Sequence, residues 1–513
     1  MTAGFFSEQV CQCRSVRNGT GVRMNSFSPS LLTRRRILSQ TGMGFGMLAL
    51  PLLDDSNAGA AHSANRQSDA SLHDREPFDL RRKRPHFPPR ATSFIQLVQT
   101  GGPSQMDLFD PKPELNRRDG QVFEIDIHDF QMQSQANKLL GTPFRFRRHG
   151  ECGMELSELI PHYSKVADDI CLVRSMVSVH NNHTEAIVNL GTGKMFIGHP
   201  SLGSWFSYAL GTENQDLPAY VVLRDPIGYA TSGMLMVRSG WLPSVYSSTE
   251  FHSSGMPVHN LQPSVPLPEG MQRQRLALLE RLNEAHQQKY PRESDLDARI
   301  RNYELAARMQ LSATNVVDIS RESQATQRLY GLDQPHTAGY GTRCLMARRL
   351  VEAGVRFVQV FIGRGQPWDH HNKLNSGLQT MSAGDAPSAA LIQDLRDRGL
   401  LDSTIVFWAG EFGRMPVAQG DGGNGRDGRD HNKNAGSCWI AGGGFRSGHV
   451  YGSTDDVGYA ADENPVTVPD LFATFAHQMG LDHTRVSYLH LGREENMTDS
   501  DVTGAYVHDG LIA

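Results

Sequence analysis

Three short stretches, far apart in the chain, carry residues able to hold a cation or move a proton. They are Ser104 with Asp107 and Asp110, Asp369 with His370 and His371, and Glu411 followed by Asp430-His431. Imidazole and carboxylate together suit divalent ions such as zinc or manganese, and carboxylate oxygens also suit calcium. A site assembled from several loops takes one or two such groups from each. Singly, an Asp after a strand is commonly a helix cap and a His is commonly a surface residue. What sets these three apart is that each belongs to a loop that opens where an apolar run closes. Arg174 and Arg414 add guanidinium forks that fit sulfate or phosphate oxygens in a bidentate manner, with a surface ion pair as the plainer role for each. Trp368, beside Asp369, either walls a pocket or fills the core.

Elements able to position these groups follow from the hydrophobic pattern. Ser93 to Val98 reads as a strand closed by the Gly101-Gly102-Pro103-Ser104 turn. Leu156 to Ile170 has helical spacing, Cys171 to Met176 reads as a strand, and His183 to Leu190 as a helix entered from a polar turn. Ala219 to Leu223 is a further strand. In the C-terminal third, a helix over Arg343 to Ala353 precedes the strand Val355 to Phe361, and a helix over Ser388 to Leu400 precedes the strand Thr404 to Trp408. Helix, uniformly apolar strand and polar loop in repetition indicate an α/β fold, a mostly parallel sheet sandwiched by helices. Polar groups at successive strand C-termini then converge in space. Two charged amphipathic stretches from Met271 to Asn315, broken at Pro291, predict a helical insertion over about 268–330 that packs on one face of the main domain. Gly420 to Gly428 reads as a surface excursion, and no helix follows it in the phase a phosphate-cradling loop requires.

The N-terminus reads as a targeting segment. Arg34-Arg35-Arg36 stands before a short, Gly-rich, weakly apolar run from Thr41 to Leu50, and Ala58-Gly59-Ala60 supplies the small residues of a cleavage site. This is the pattern of a twin-arginine export signal. It implies a periplasmic or secreted protein handled by the twin-arginine export machinery, with Met24 as the expected start of translation. Residues 1–60 are thus an extension plus signal, 61–90 a flexible tether ending in Arg81-Arg82-Lys83-Arg84, and 91–513 the working domain. Cys152, Cys171, Cys344 and Cys438 show no CxxC spacing, which excludes a thiolate zinc site of the usual kind. Export of an already folded chain gives no reason to expect disulfides among them. A formal net charge of −5 provides no basic field for nucleic acid, so no nucleic-acid partner is expected.

Longer runs carry a resemblance to a known family. Gly101-Gly102-Pro103-Ser104-Gln105-Met106-Asp107 with Phe109-Asp110-Pro111, Asn182-His183-Thr184-Glu185-Ala186, Gly198-His199-Pro200-Ser201-Leu202-Gly203, Trp368-Asp369-His370-His371, Gly410-Glu411-Phe412-Gly413-Arg414 and Gly428-Arg429-Asp430-His431 resemble the DUF1501 family. That family is grouped with alkaline-phosphatase-like and sulfatase-like proteins, and the resemblance runs from about residue 90 to the C-terminus. It implies metal ligation by Asp107, or else Asp110, and by Asp369, His371, Glu411 and His431. Where the superfamily has an Asp-His pair this chain has Glu411-Phe412, so one imidazole is missing and the number of metals stays open. Sulfatases place a Cys or Ser about where His183 stands here. The resemblance therefore leaves His183 as ligand, acid-base group or nucleophile, Thr184 as the attacking hydroxyl, or His183 as a plain helix cap.

Two functions follow as expectations. One is an exported, sulfatase- or phosphatase-like, metal-dependent hydrolase acting on an anionic ester or a sulfated glycan. The other is a non-catalytic, degenerate relative that binds an anionic glycan or an envelope partner.

Overall fold

Six consecutive buried residues, Ser93–Val98, form the first strand, β1. Side chains alternate across a strand, so Ile95 and Leu97 enter one hydrophobic core while Phe94 and Val98 enter a second on the other face. A strand covered on both faces has no solvent side to mark with polar residues, so its run is apolar except for Ser93 and Gln96, and the buried Gln96 accepts from Gln359 Nε2 at 3.1 Å. Parallel partners flank it: β5 (Phe357–Phe361), with Leu97 opposite Val360, and β6 (Thr404–Ala409), with Leu97 opposite Trp408.

The computed structural model describes residues 80–124, 137–254, 258, 270–289, 294–371, 374, 377–378, 384–419 and 428–513. The expected export signal around Arg34, the cleavage site, the Met24 start, the tether up to residue 79 and the glycine-rich excursion 420–427 lie outside the described residues. Apart from three small two-stranded hairpins, the other strands are β2 (Ile170–Val177), β3 (Tyr220–Leu223), β4 (Thr249–Phe251), β7 (Gly413–Ala418), β8 (Arg429–Asn432), β9 (Gly436–Ala441), β10 (His449–Tyr451) and β11 (Val466–Thr467). The main sheet runs β10-β2-β9-β6-β1-β5-β3-β4, with β11 also on β2. All its pairings are parallel except those of β9 with β2 and β6. β7 and β8 form a separate antiparallel pair that sets His431 opposite Arg414.

The short α1 (Gln105–Leu108) follows the turn after β1, and longer helices cover both faces of the sheet. The Ile95/Leu97 face carries α6 (Ala338–Glu352) and α7 (Asp385–Asp397), together with the longer insertion helix α5 (Ser294–Val317), which contributes Leu305, Met309 and Ala313. The other insertion helix is α4 (Met271–Lys289). The opposite face carries α2 (His183–Thr192), α3 (Leu202–Leu210) and α8 (Val468–Gln478). The fold is therefore the expected α/β sandwich around a mostly parallel sheet.

One element departs from expectation. The stretch from Leu156 to Ile170 is not an α-helix: Leu156 and Ser157 close a hairpin strand, and two 3₁₀ turns, Pro161–Lys165 and Ala167–Asp169, follow. Pro161 lacks the N–H that an α-helix through this stretch would need there, and the apolar residues that mimicked helical spacing are those burying a turn. Cys152, Cys171, Cys344 and Cys438 are free thiols. Among the described residues no helix is long and apolar enough to cross a membrane.

Candidate metal centre

The turn after β1 sets the geometry. Gly101 has φ +112°, and a Cβ there would lie 2.6 Å from the backbone nitrogens of both Trp368 and Asp369, so only glycine lets the two loops touch. Gly101 and Gly102 donate their N–H groups to the Glu411 carboxylate, Gly101 at 2.9 Å and 3.1 Å and Gly102 at 3.3 Å. The loops after β1, β5 and β6 are thereby tied together at the C-terminal edge of the parallel strands.

Four side chains converge on one atom, Asp369 Oδ1. Arg414 Nη2 lies at 2.7 Å, His371 Nε2 at 2.8 Å, His431 Nε2 at 3.1 Å and His183 Nε2 at 3.5 Å. Two of the imidazoles are oriented through their other nitrogen. His183 Nδ1 lies 2.6 Å from Glu411 Oε1, and His431 Nδ1 lies 2.8 Å from the carbonyl oxygen of Asn181. A carbonyl only accepts, so His431 Nδ1 carries the hydrogen and its Nε2 presents a lone pair. Ligating histidines are commonly held this way, with a carboxylate or carbonyl behind the ring. Phe412 backs the same two rings, its centroid 4.9 Å from His183 and 4.6 Å from His431.

Burial and charge pull in different directions within this cluster. Burial alone would raise the Asp369 carboxyl, but hydrogen bonds from His183, His371 and His431 and the Arg414 charge outweigh it and hold it far below the usual carboxylate range. Burial pushes His431 down to about 3 against the pull of Asp369, so that ring is neutral. Burial also opposes a proton on His183, yet Asp369 and Glu411 together win and raise it.

Among the described residues two sets have donor atoms within 4.8 Å of one another: His183, Asp369 and His431, and His371, Asp430 and His431. A cation fits the first set. The neutral His431 lone pair and an Asp369 oxygen face each other at 3.1 Å, an arrangement of two acceptors that a shared positive ion stabilises. Asp369, His371 and His431 are thus brought together as the sequence suggests, and His183 joins them as a ring aimed at the same oxygen. Glu411 holds His183 and the Gly101-Gly102 turn, which is a positioning role and not membership of either donor set.

Other expected site residues stand elsewhere. Asp107 is wholly buried against Arg429, which donates to it from Nε at 2.8 Å and Nη2 at 3.1 Å, while Ser104 Oγ donates at 2.5 Å. Its oxygens are spent on that ion pair, so the geometry does not support the ligand role. The alternative, Asp110, takes Thr454 Oγ1 at 2.5 Å and Lys112 at 3.2 Å. Arg414 is no open anion clamp: its donors go to the backbone carbonyls of Gly101, Gly102 and Arg429 and to Asp369. Arg174 donates to the Phe109 carbonyl at 2.9 Å and sits 3.8 Å from Asp110. Thr184, just inside the helix, has its N–H capped by Asn182, and its hydroxyl pairs with Ser232 Oγ at 2.9 Å. Trp368 is core, with its indole N–H on Gln99 at 3.0 Å. Sequence reasoning missed Arg429 as the partner of Asp107 and undervalued Asp430, whose only signal was adjacency to His431.

A family model described as a protein of unknown function, DUF1501, matches residues 91–511. The chain belongs to the DUF1501 family. All residues of the metal cluster fall inside the DUF1501 stretch. A comparison with curated proteins gives no match. Solved structures similar to this DUF1501 chain include a sulfatase from Pseudoalteromonas sp., with a TM-score of 0.34 at 12% identity over 76% of this chain and 68% of that one. A protein in the alkaline phosphatase superfamily from Vibrio parahaemolyticus has a TM-score of 0.33 at 9% identity, over 78% and 70%. A phosphonate monoester hydrolase from Silicibacter pomeroyi has 0.32 at 10%, over 82% and 78%. Likeness at this level assigns no activity.

Proposed function

We propose that this DUF1501 chain is a metal-dependent hydrolase of sulfate or phosphate esters, exported through the twin-arginine route. The carrying observation is the neutral His431 imidazole whose free lone pair meets Asp369 Oδ1 at 3.1 Å, with His183 and His371 aimed at the same oxygen. The two imidazoles of His183 and His431 beside the Asp369 carboxylate favour zinc, then manganese, over calcium, which prefers a shell of oxygens. When bound, such an ion polarises an ester oxygen and offsets the charge that develops as the ester breaks.

The chain's own residues supply orientation and proton handling. Glu411 fixes the His183 ring, the Asn181 carbonyl fixes His431, and Arg414 holds Asp369 in place through Nη2. His371 is the candidate acid-base group: the side chain is partly exposed, its Nε2 rests on Asp369, and its buried Nδ1 has no hydrogen bond among the described residues. Purified protein should contain about one to two equivalents of zinc or manganese by elemental analysis, as in one- and two-metal hydrolases. It should also hydrolyse p-nitrophenyl sulfate or phosphate, and His371→Ala should remove that turnover. Metal-free protein inert across an ester panel would overturn the proposal.

The second reading, a binding protein for an anionic glycan or envelope partner, is favoured by one observation. The Thr184 hydroxyl, the candidate attacking group, is engaged by Ser232 Oγ at 2.9 Å. It requires binding of a sulfated polysaccharide without product, so one released fragment removes it. Export is checked separately by replacing Arg35 and Arg36 with Lys and locating the protein by fractionation.

A further inference from the structure

Leu491 combines two unfavourable features: it is 94% exposed, and its backbone is left-handed with φ +50°. It opens the two-residue turn Leu491-Gly492 of a hairpin whose strands are Ser487–His490 and Arg493–Asn496, with His490 opposite Arg493. Gly492 has φ +83°, so both turn residues are left-handed, a geometry that glycine and asparagine adopt readily and leucine only under strain. Strain of this kind is a pointer to function. The two faces of the hairpin differ. Tyr488 and His490 stack on Trp241 with centroids 5.6 Å and 5.2 Å away, so their face is packed inward. Side chains alternate along a strand, which turns Leu489 to the outer face, 58% exposed.

Two neighbouring segments extend that outer face. Lys194 and Arg493 both bond to Asp499, Arg493 at 3.3 Å, and so join the loop 194–199, the hairpin and the short helix Ser500–Thr503. The loop presents Phe196 and Ile197, 69% and 64% exposed, and the helix presents Val502. Single exposed apolar residues are ordinary, but a group of them rimmed by charges marks an interaction site. An apolar centre with a polar rim is also the anatomy of a protein–protein interface. The loop leaves the far end of α2, a helix of about 15 Å whose other end carries His183, so the surface stands apart from the metal centre.

Charge and size select the occupant. Within the surface, Lys194 and Arg493 are bonded to Asp499, and Arg493 also lies 3.5 Å from Glu495. Beyond those pairs, Lys83 and Arg485 flank Leu489, with Asp482, Glu494 and Asp501 as the acids nearby. An anionic lipid layer is drawn by a basic excess, and none exists here. A two-fold contact sets the same patch against itself, which a strong charge of one sign opposes and this mixture permits. Residues 194–199 and 487–503 together supply about the 20–30 residues a side of a stable interface. We propose that this surface is a dimer interface seated by a second copy of the chain, with Leu491 and Phe196 at its apolar centre. The contact goes beyond the hydrolase reading and does not depend on it.

The test is the mass of the full chain in solution, by sedimentation velocity at micromolar concentrations, where interfaces of this size associate. The unaltered chain gives twice its single-chain mass of 56.8 kDa. Leu491→Asp and Phe196→Asp each weaken the association about tenfold or more. Leu491→Gly suits the left-handed turn better than leucine does, so it keeps the fold while removing the apolar knob, and it too shifts the equilibrium toward single chains. Ile227→Asp, at an equally exposed apolar residue in the loop after β3, leaves the dimer unchanged. Single chains at every concentration overturn the proposal, as does a dimer that survives both Leu491→Gly and Phe196→Asp, or an equal loss in Ile227→Asp. Single chains that sediment with phosphatidylglycerol vesicles, and lose that binding in Leu491→Gly, assign the surface to lipid and also overturn it. Ester turnover is not read in this test, so failure of either proposal leaves the other standing.

Discussion

Asp369 Oδ1 accepts from Arg414 Nη2 at 2.7 Å, and the rest of that guanidinium is spent on the carbonyls of Gly101, Gly102 and Arg429. One buried cation thus holds the central carboxylate and the loops around it in a single arrangement. Arg414→Ala leaves the carbonyls and a buried acid unpaired, and should cost about 3–5 kcal/mol of stability. Urea denaturation of metal-free protein checks this. Unchanged stability with lost ester turnover would instead restore the anion-clamp role.

The ion pair between Asp107 and Arg429, both side chains wholly buried, gives the same order of penalty when broken. Asp107→Asn should destabilise the fold by about 3 kcal/mol or more while metal stoichiometry in the folded fraction stays intact. A variant that is stable but metal-free would return Asp107 to the ligand set.

Glu411 stands behind His183. Glu411→Gln keeps the size but removes the charge that orients and holds the ring, and should weaken zinc binding about 10–100-fold with little change in melting temperature of the metal-free protein. Competition with a chromogenic chelator measures it.

Proton competition sets a pH dependence. His183 is raised above its ordinary 6.5 because Asp369 and Glu411 outweigh burial, so in metal-free protein it holds a proton that a metal must displace. Zinc affinity should rise by about tenfold per pH unit until His183 has lost its proton, then level off. In the absence of metal, the contribution of His183 to stability is complete below pH 6.5 and fades as pH rises through its folded value. His431 has the opposite sign: held near 3, it stays neutral when folded and costs stability as pH falls from 6.5 toward 3. Affinity titrations from pH 5.5 to 8.5, and melting curves in chelator, separate the two.

Gly101→Ala tests the loop junction. Its Cβ would sit 2.6 Å from two backbone nitrogens at φ +112°, so the Trp368-Asp369 loop must move. The expected result is a loss of zinc affinity beyond tenfold together with a lower melting temperature, as small displacements of a ligating group suffice.

Much of this was legible in the chain itself. The alternation of apolar strand and polar loop placed β1, β5 and β6 and the convergence of Asp369, His371 and His431, because strand direction alone decides which edge a loop occupies. Pairing was not legible. Nothing local distinguishes Asp107 from Asp369 as an acid after a strand; only the fold shows that Arg429, 322 positions away, neutralises the first and that three imidazoles surround the second. His183 was ambiguous between cap and ligand for the same reason. Its N-terminal place on α2 was clear, whereas the direction of its ring depends on Glu411.

The separation of partners along the chain also governs the order of folding. His183 and Glu411 lie 228 positions apart, and Asn181 and His431 lie 250 apart, so closing this cluster requires large loops to shut first. The central strands must zip before the donors can meet. A nascent chain that stops short of β8 lacks His431, so the cluster can close only after that strand has been made.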